Sequence, residues 1–305
     1  MTVAPARLDD SFRGILFMCL TAIVLFPFLN ALVKYLLSND YSIVQIMWMR
    51  SVIHMAWMLA LFLPRGGLRI LRSNRPGLQL VRSSLQLVAL VLYIIALSHV
   101  SLTAITMAFF TAPLMVVALS VPMLGERVGP RRWAAVAFGF VGAAVIFRPG
   151  GEIIHWSFLL VLGAAAAYAV FQIQTRQLAA QDDYRTTAIY TIIVALVATT
   201  CAGPFFWTWP TDPIHWAVFF GLGLFGGIGH FGVIKAYEYG RASVVGPFDY
   251  GQLIGAAVIG FLWFGEVVDL WTWLGAGLIV ASGLYIARRE AVLGGGRGPK
   301  ASLGP

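Results

Sequence analysis

Gly125-Glu126 recurs in the second half of the chain as Gly265-Glu266, and each dipeptide closes an apolar run of membrane-spanning length. The same shift superposes Ala96 on Ala236, Val128 on Val268, Trp133 on Trp273, Ile146 on Ile286 and Arg148 on Arg288 without a gap. Nearer the start of each half, a slightly longer shift places Asn30 and Lys34 on Gln172 and Arg176. A chain that duplicates an apolar unit in this way folds as two structural repeats.

With 59% hydrophobic and 11% charged residues, no water-soluble core could hide the apolar surface. A hydrocarbon core about 30 Å thick takes roughly 20 apolar residues per helix. Ten such runs are present, near 13–37, 43–63, 77–98, 102–124, 131–147, 155–177, 184–207, 214–238, 243–264 and 271–288. Short connections rich in turn-formers, such as Pro64-Arg65-Gly66-Gly67 and Pro210-Thr211-Asp212-Pro213, leave no room for a soluble domain. The fold class is an all-α integral membrane protein. Its expected parts are a cytoplasmic segment 1–12, repeats 13–148 and 149–290, and a Gly- and Pro-rich tail 291–305 expected to be disordered.

Lysine and arginine concentrate on the cytoplasmic side of membrane proteins. With the N-terminus inside, 18 of the 21 basic residues fall there, the densest group being Arg65, Arg69, Arg72, Arg75 and Arg82. Lys34 and Arg148 fall outside and Arg50 lies within a span. Both termini are then cytoplasmic, and topology accounts for the net charge of +8 without nucleic acid. Five spans per half is odd, so the second half enters the membrane inverted. Inverted repeats place a site between them near the bilayer midplane and alternate its access by rocking.

No HExxH, GxSxG, Walker loop or Cys/His cluster is present, so neither an enzyme nor a bound metal or cofactor is expected. Cys19 and Cys201 read as packing residues inside spans. The first run is too long, and carries Pro27, Asn30 and Lys34, for a cleavable signal.

Pro113-Leu114-x8-Met123-Leu124-Gly125-Glu126 and Trp263-Phe264-Gly265-Glu266, set at the half-ends of ten duplicated spans, resemble the EamA-type branch of the drug/metabolite transporter superfamily. The resemblance covers nearly the whole chain. It implies a ten-helix basket with a central cavity lined by spans 1 to 4 and 6 to 9, spans 5 and 10 being peripheral. Within the superfamily the chain looks most like the YddG-type exporters of aromatic and other neutral amino acids.

Polar residues inside spans are costly and usually face a cavity or a partner. Asn30 and Lys34 share one helix face; Tyr168, Gln172 and Arg176 form the equivalent row in the sixth span. Lys34 and Arg176 could gate the two mouths by pairing with acids or a substrate carboxylate, or could simply snorkel to the interface. Asn30 and Gln172 are too short to snorkel and read as cavity lining. Arg50, about 10 Å from the outer end of the second span, has no basic counterpart in the repeat, and His54 shares its face. Its guanidinium suits a carboxylate, though a structural ion pair would also account for it. Asp249 and His230 reach a similar depth from the inner side and could relay protons, hold an ammonium, or form a static hydrogen bond.

Tyr93, Tyr168, Tyr190, Tyr237 and Tyr250 are not easily assigned to an interface; Tyr93, Tyr168 and Tyr250 are taken as substrate contacts against the alternative of ordinary packing. Gly223/Gly227, Gly251/Gly255 and Ala135/Gly139/Ala143 sit at four-residue spacing and allow close helix approach. Pro113 and Pro247 each remove a backbone hydrogen bond within a span and invite kinks. The expectation is an inner-membrane exporter of small metabolites, amino acids including aromatic ones, working by alternating access. The alternative is proton-coupled efflux of amphipathic drugs or other metabolites. The expected partners are a small-molecule substrate and the lipid bilayer. Two halves in one chain favour a monomer, while the small-residue faces of spans 5 and 10 leave pairing open.

Overall fold

The computed structural model describes residues 8–126, 128–147, 156–178, 181–239 and 242–294, and among these every regular element is a helix. The first span is built from α1 (Leu8–Cys19), a π-helical stretch (Leu20–Leu25) and α2 (Phe26–Ser38). Then follow α3 (Ile43–Gly66), α4 (Pro76–Leu97), α5 (Leu102–Phe109), α6 (Ala112–Leu124) and α7 (Pro130–Phe147). The second half comprises α8 (Ser157–Leu178), α9 (Tyr184–Ala202), α10 (Pro213–Tyr239), the short α11 (Ala242–Val245), α12 (Gly251–Phe264) and α13 (Leu270–Gly294).

Among the described residues nine helices are long and apolar enough to cross a membrane. They coincide with nine of the ten expected runs. The run at 243–264 differs, because a 3-10 turn at Gly246–Tyr250 separates α11 from α12 and leaves no continuous helix of spanning length. Proline accompanies this break and two milder changes. Pro247 sits in the first turn of the 3-10 segment, and Pro113 in the first turn of α6 after a turn at Phe110–Thr111. Pro27 sits where the π-helical stretch passes into α2 without a break in the helix. The expected kink at Pro247 is therefore an interruption, whereas that at Pro113 follows a two-residue turn, Phe110–Thr111, inside a stretch still counted as one span. The fourth spans of the two halves are thus broken to different degrees. One boundary also moves: α13 runs to Gly294, so residues 291–294 are helical rather than part of a disordered tail. Arg148 and residues 295–305 lie outside the described residues.

The Gly-Glu repeat has a local cause. Gly125 and Gly265 adopt φ of 67° and 64°, the left-handed conformation that ends a helix and that only glycine takes freely. The next N–H bonds back across the last turn, Glu126 to the carbonyl of Ser120 and Glu266 to that of Gly260. Each glutamate side chain is thereby turned out of its own helix toward the other repeat.

Small residues close the bundle where two helices must touch. A Cβ on Gly255 would lie 1.9 Å from the Ile23 carbonyl oxygen and 2.6 Å from Pro27 Cγ, so α12 packs backbone to backbone against the first span at its proline. Gly142 and Gly275 do the same between α7 and α13, where a Cβ would meet the partner's carbonyl oxygen at 2.6 and 2.4 Å. Gly142 of the fifth span and Gly275 of the tenth are thus spent on each other inside one chain, while a Cβ on Gly139 would meet Leu114 of α6 at 2.0 Å. Large apolar side chains remain outside, among them Phe138, Leu159, Phe220 and Leu262, as a lipid-facing surface requires. Trp133, Trp156, Trp209, Trp271 and Trp273 are exposed near helix ends, where indoles anchor at the headgroups.

Candidate functional site

Two faces of the bundle can be named from the chain itself. The terminal face carries the start of α1 and the end of α13; the distal face carries the ends of α2 and α12. At the distal face Lys34, near the end of α2, makes an ion pair with Glu266. Glu266 also accepts from the backbone N–H groups of Leu102 at 2.8 Å and Thr103 at 3.2 Å and from the Thr103 hydroxyl at 3.1 Å, so it caps the start of α5. The Lys34 ammonium lies 4.9 Å from the centre of the Phe264 ring. Burial would raise the Glu266 carboxyl, but Lys34 and the N–H donors outweigh it and hold the group below its ordinary range. At the terminal face the same positions of the repeat meet as Arg176 and Glu126, 2.9 Å apart. Both cations expected to snorkel or gate are therefore held by acids, each across the boundary between the repeats.

Below the distal pair the bundle is packed with buried apolar side chains including Leu29, Leu32, Leu36, Ile46, Leu97 and Phe219. Asn30 and Tyr93 lie in this zone. Asn30 donates to the Tyr93 hydroxyl at 3.3 Å, which in turn bonds Thr106 at 3.2 Å. Tyr250 packs at 5.1 Å from the Phe110 ring and against Gly283. None of the three borders the main cavity.

That cavity, of about 680 Å³, lies between the repeats and reaches from Asp182 near the terminal face past the middle of the bundle to Arg50. It is bordered by Arg50 and His54 from α3, Tyr168 and Gln172 from α8, His230 from α10 and Asp249 from the turn before α12. Six expected site residues from four stretches of sequence are thus brought together. Arg50 makes no hydrogen bond or ion pair among the described residues. Gly226 of α10 faces both side chains, since a Cβ there would stand at ordinary contact distance, 3.8 Å from Arg50 Nε and 3.9 Å from His54 Nδ1. His54 and His230 stand with ring centres 5.1 Å apart, and His230 bonds the Gly226 carbonyl at 3.1 Å. The His54 Nε2 atom is buried without a partner. His230 and Asp249 share the cavity, but no hydrogen bond joins them.

One member was missed. Arg82, counted above with the cytoplasmic basic cluster, is instead 3% exposed and borders the cavity from α4. Its Nε donates to Thr175 Oγ1 at 2.6 Å and its Nη1 to the Thr187 carbonyl at 3.1 Å and Thr191 Oγ1 at 2.9 Å. The Phe171 ring lies 4.4 Å from its guanidinium carbon. The signal was its spacing: Gln79, Arg82, Ser83 and Gln86 lie on one helical face, too polar for lipid. At the terminal mouth Asp182 accepts from Ser73, from the Asn74 N–H at 2.8 Å and from Gln79 at 2.9 Å. Burial would raise its carboxyl; these donors more than offset that and lower it.

The chain matches the family described as "EamA-like transporter family" over residues 12–148 and 155–288, one match to each repeat. It is 30% identical to the riboflavin transporter of Vibrio cholerae, covering 72% of this chain and 74% of that one. It is 27% identical to the S-adenosylmethionine uptake transporter of Rickettsia bellii, over 73% and 77% of the two chains. The pseudopaline exporter CntI of Pseudomonas aeruginosa is 26% identical over 87% of this chain and 93% of its own. A solved crystal structure superposes with a TM-score of 0.61 at 17% identity, covering 92% of this chain and 97% of that one, a likeness of fold alone. The named relatives carry unlike solutes, so the expected likeness to amino-acid exporters in particular is not what these matches single out.

Proposed function

The chain belongs to the EamA-like transporter family as a multi-pass inner-membrane transporter and not an enzyme, and on that premise we propose that it exports small carboxylate-bearing metabolites, amino acids including aromatic ones. The observation that carries this reading is the cavity of about 680 Å³ in which Arg50 stands without an acid partner among the described residues. A cation in a low-dielectric site is costly unless an anion joins it. A carboxylate on the guanidinium would supply that anion, with Tyr168 as an aromatic wall and the volume within the range of small-molecule sites. The relatives named for riboflavin and S-adenosylmethionine extend the panel of solutes to be tried to larger ring-bearing compounds.

In this reading the terminal face is cytoplasmic and the repeats 13–148 and 149–290 rock about the cavity. Lys34 with Glu266 seals the outer mouth, whereas Arg176 with Glu126, although formed at 2.9 Å, is too exposed to seal the inner one. The partly buried distal pair and the cavity on the terminal side correspond to the inward-facing state. Asn30, Tyr93 and Tyr250 would line the pathway only after the distal half opens. A second reading rests on Asp249, which borders the cavity with no hydrogen-bond partner among the described residues, on a lining that also holds His230. In that reading the two titrate and drive export against protons.

Counterflow in proteoliposomes preloaded with single amino acids and given labelled phenylalanine separates the two. Uptake without a proton gradient, lost in Arg50→Ala, supports the carboxylate carrier. Uptake only under a pH gradient, lost in Asp249→Asn, supports the antiporter and sinks the first reading.

A further inference from the structure

Arg82 and Gln86 stand one turn apart on the cavity face of α4, their Cβ atoms separated by about 6 Å. They are complementary in kind. Arg82 is clamped at Nε and Nη1 by three oxygens from α8 and α9 and, at 3.5 Å, by Gln79 Oε1 of its own helix, and is covered on one side by Phe171; its Nη2 nitrogen has no hydrogen-bond partner among the described residues. Every oxygen that holds it is neutral, and no acid pairs with it among the described residues. Gln86 Oε1 is buried and equally without a partner. A fixed cation with a free donor edge on the cavity stands one turn from a buried acceptor that lacks a donor, and leaving that acceptor unpaired is costly for a purely structural purpose.

The geometry points to a second substrate station in this cavity, in which Arg82 binds a carboxylate through Nη2 and Gln86 Oε1 accepts a hydrogen bond from an adjacent ammonium. The inference rests on the carboxylate-carrier reading and adds to it the head group recognised and the place where loading begins. Arg82 lies six residues beyond Pro76, about 9 Å in from the terminal face, whereas Arg50 lies seven residues beyond Ile43, about 10 Å in from the distal one. Across a core of about 30 Å this leaves roughly 10 Å of depth between the two guanidinium-bearing positions. A solute entering from the terminal side meets Arg82 first and Arg50 second. Tyr168 and Phe171, stacked with ring centres 5.5 Å apart, border the cavity next to the shallower station and suit an aromatic side chain. Clamping by Thr175, Thr187 and Thr191 fixes the guanidinium before the solute arrives, so little order is lost on binding.

The test is binding to the purified full-length protein of three probes: phenylalanine, 3-phenylpropionate, which lacks the ammonium, and phenylalaninamide, which lacks the carboxylate. Arg82→Gln should weaken phenylalanine and 3-phenylpropionate by about 10- to 100-fold and leave the already weak amide unchanged, and Arg82→Lys should recover part of the loss. Gln86→Leu, milder for the fold, should weaken phenylalanine by about 10-fold and leave 3-phenylpropionate unaffected. Equal losses for all three probes in both variants would make the pair structural and overturn the inference. So would wild-type affinities in both variants, while the carboxylate carrier itself would stand. No binding of any probe by the wild-type protein would overturn the amino-acid reading and this inference together.

Discussion

The two ends of the molecule carry the same device in different condition. Lys34 and Glu266 at the distal end are 20% and 10% exposed at their side chains, whereas Arg176 and Glu126 at the terminal end are 71% and 37% exposed. The positions are equivalent in the repeat, the Gly-Glu caps have the same backbone, and each pair joins one half to the other. What differs is the surroundings: packed side chains under the distal pair, a cavity behind the terminal one. Duplication alone therefore does not make two equal latches. Burial makes one pair strong and solvent leaves the other weak, and in an inverted repeat that inequality distinguishes one state of access from the other.

The largest expected effect comes from breaking the distal pair. Glu266→Gln leaves the partly buried Lys34 ammonium without its counter-ion, a change that costs roughly 1–3 kcal/mol in such settings. It should lower the Tm and expose a cysteine reporter beneath the distal face to a membrane-impermeant reagent. Glu126→Gln should move stability by about 1 kcal/mol or less. The double reversal Arg176→Glu with Glu126→Arg should be tolerated, whereas Lys34→Glu with Glu266→Lys should not, because the N–H groups of Leu102 and Thr103 would then face a cation. Equal Tm losses from the two glutamine variants would break the comparison.

A comparable effect tests why the distal pair closes so tightly. A Cβ at Gly260 would lie 2.7 Å from Glu266 Oε2 and 2.7 Å from Thr103 Oγ1, so the glutamate lies over a helix that has no side chain there. At the equivalent position of the first repeat, near the terminal face, stands Ser120. Gly260→Ser copies the terminal end onto the distal one and should cost about 1–3 kcal/mol of overpacking, read as a lower Tm with greater distal labelling. An unchanged Tm and labelling pattern would remove Gly260 from the explanation.

The smallest effect is that of pH. The Glu266 carboxyl is held below its ordinary value, so its contribution is present in full above the unfolded-chain pKa of about 4.3 and is lost only as pH falls through the lower folded value. Distal labelling should stay flat between pH 8 and pH 5. A rise within that window would mean that another group opens the outer mouth.

Much of this was legible before any helix was placed. The constant offset between the halves located both caps, and the row Asn30, Lys34, Gln172, Arg176 pointed to both cations that the caps meet. Arg50 stood out because the repeat gave it no basic partner, and it does border the cavity. Arg82 escaped because it follows a run of loop arginines, and the same rule that orients the chain explained it away. Asn30 and Tyr93 show what a single chain pattern leaves unread. Each is polar and deep in a span, yet they bond to each other within the packed distal half, a pairing between distant spans that periodicity does not reveal.

What the sequence determined by itself was everything that depends on transfer from water to lipid and on local backbone chemistry. The spans follow from apolar length, the irregularities at Pro113 and Pro247 from proline, the helix stops from Gly125 and Gly265, and the inverted duplication from an odd number of spans per half. Only the tertiary structure decided which acid meets which cation, that Arg82 turns inward, and which of two equivalent mouths is sealed. Those outcomes depend on distances between segments far apart in the chain and on the dielectric each pair finds there, and the energy of an ion pair varies with that burial far more than with the residues that form it.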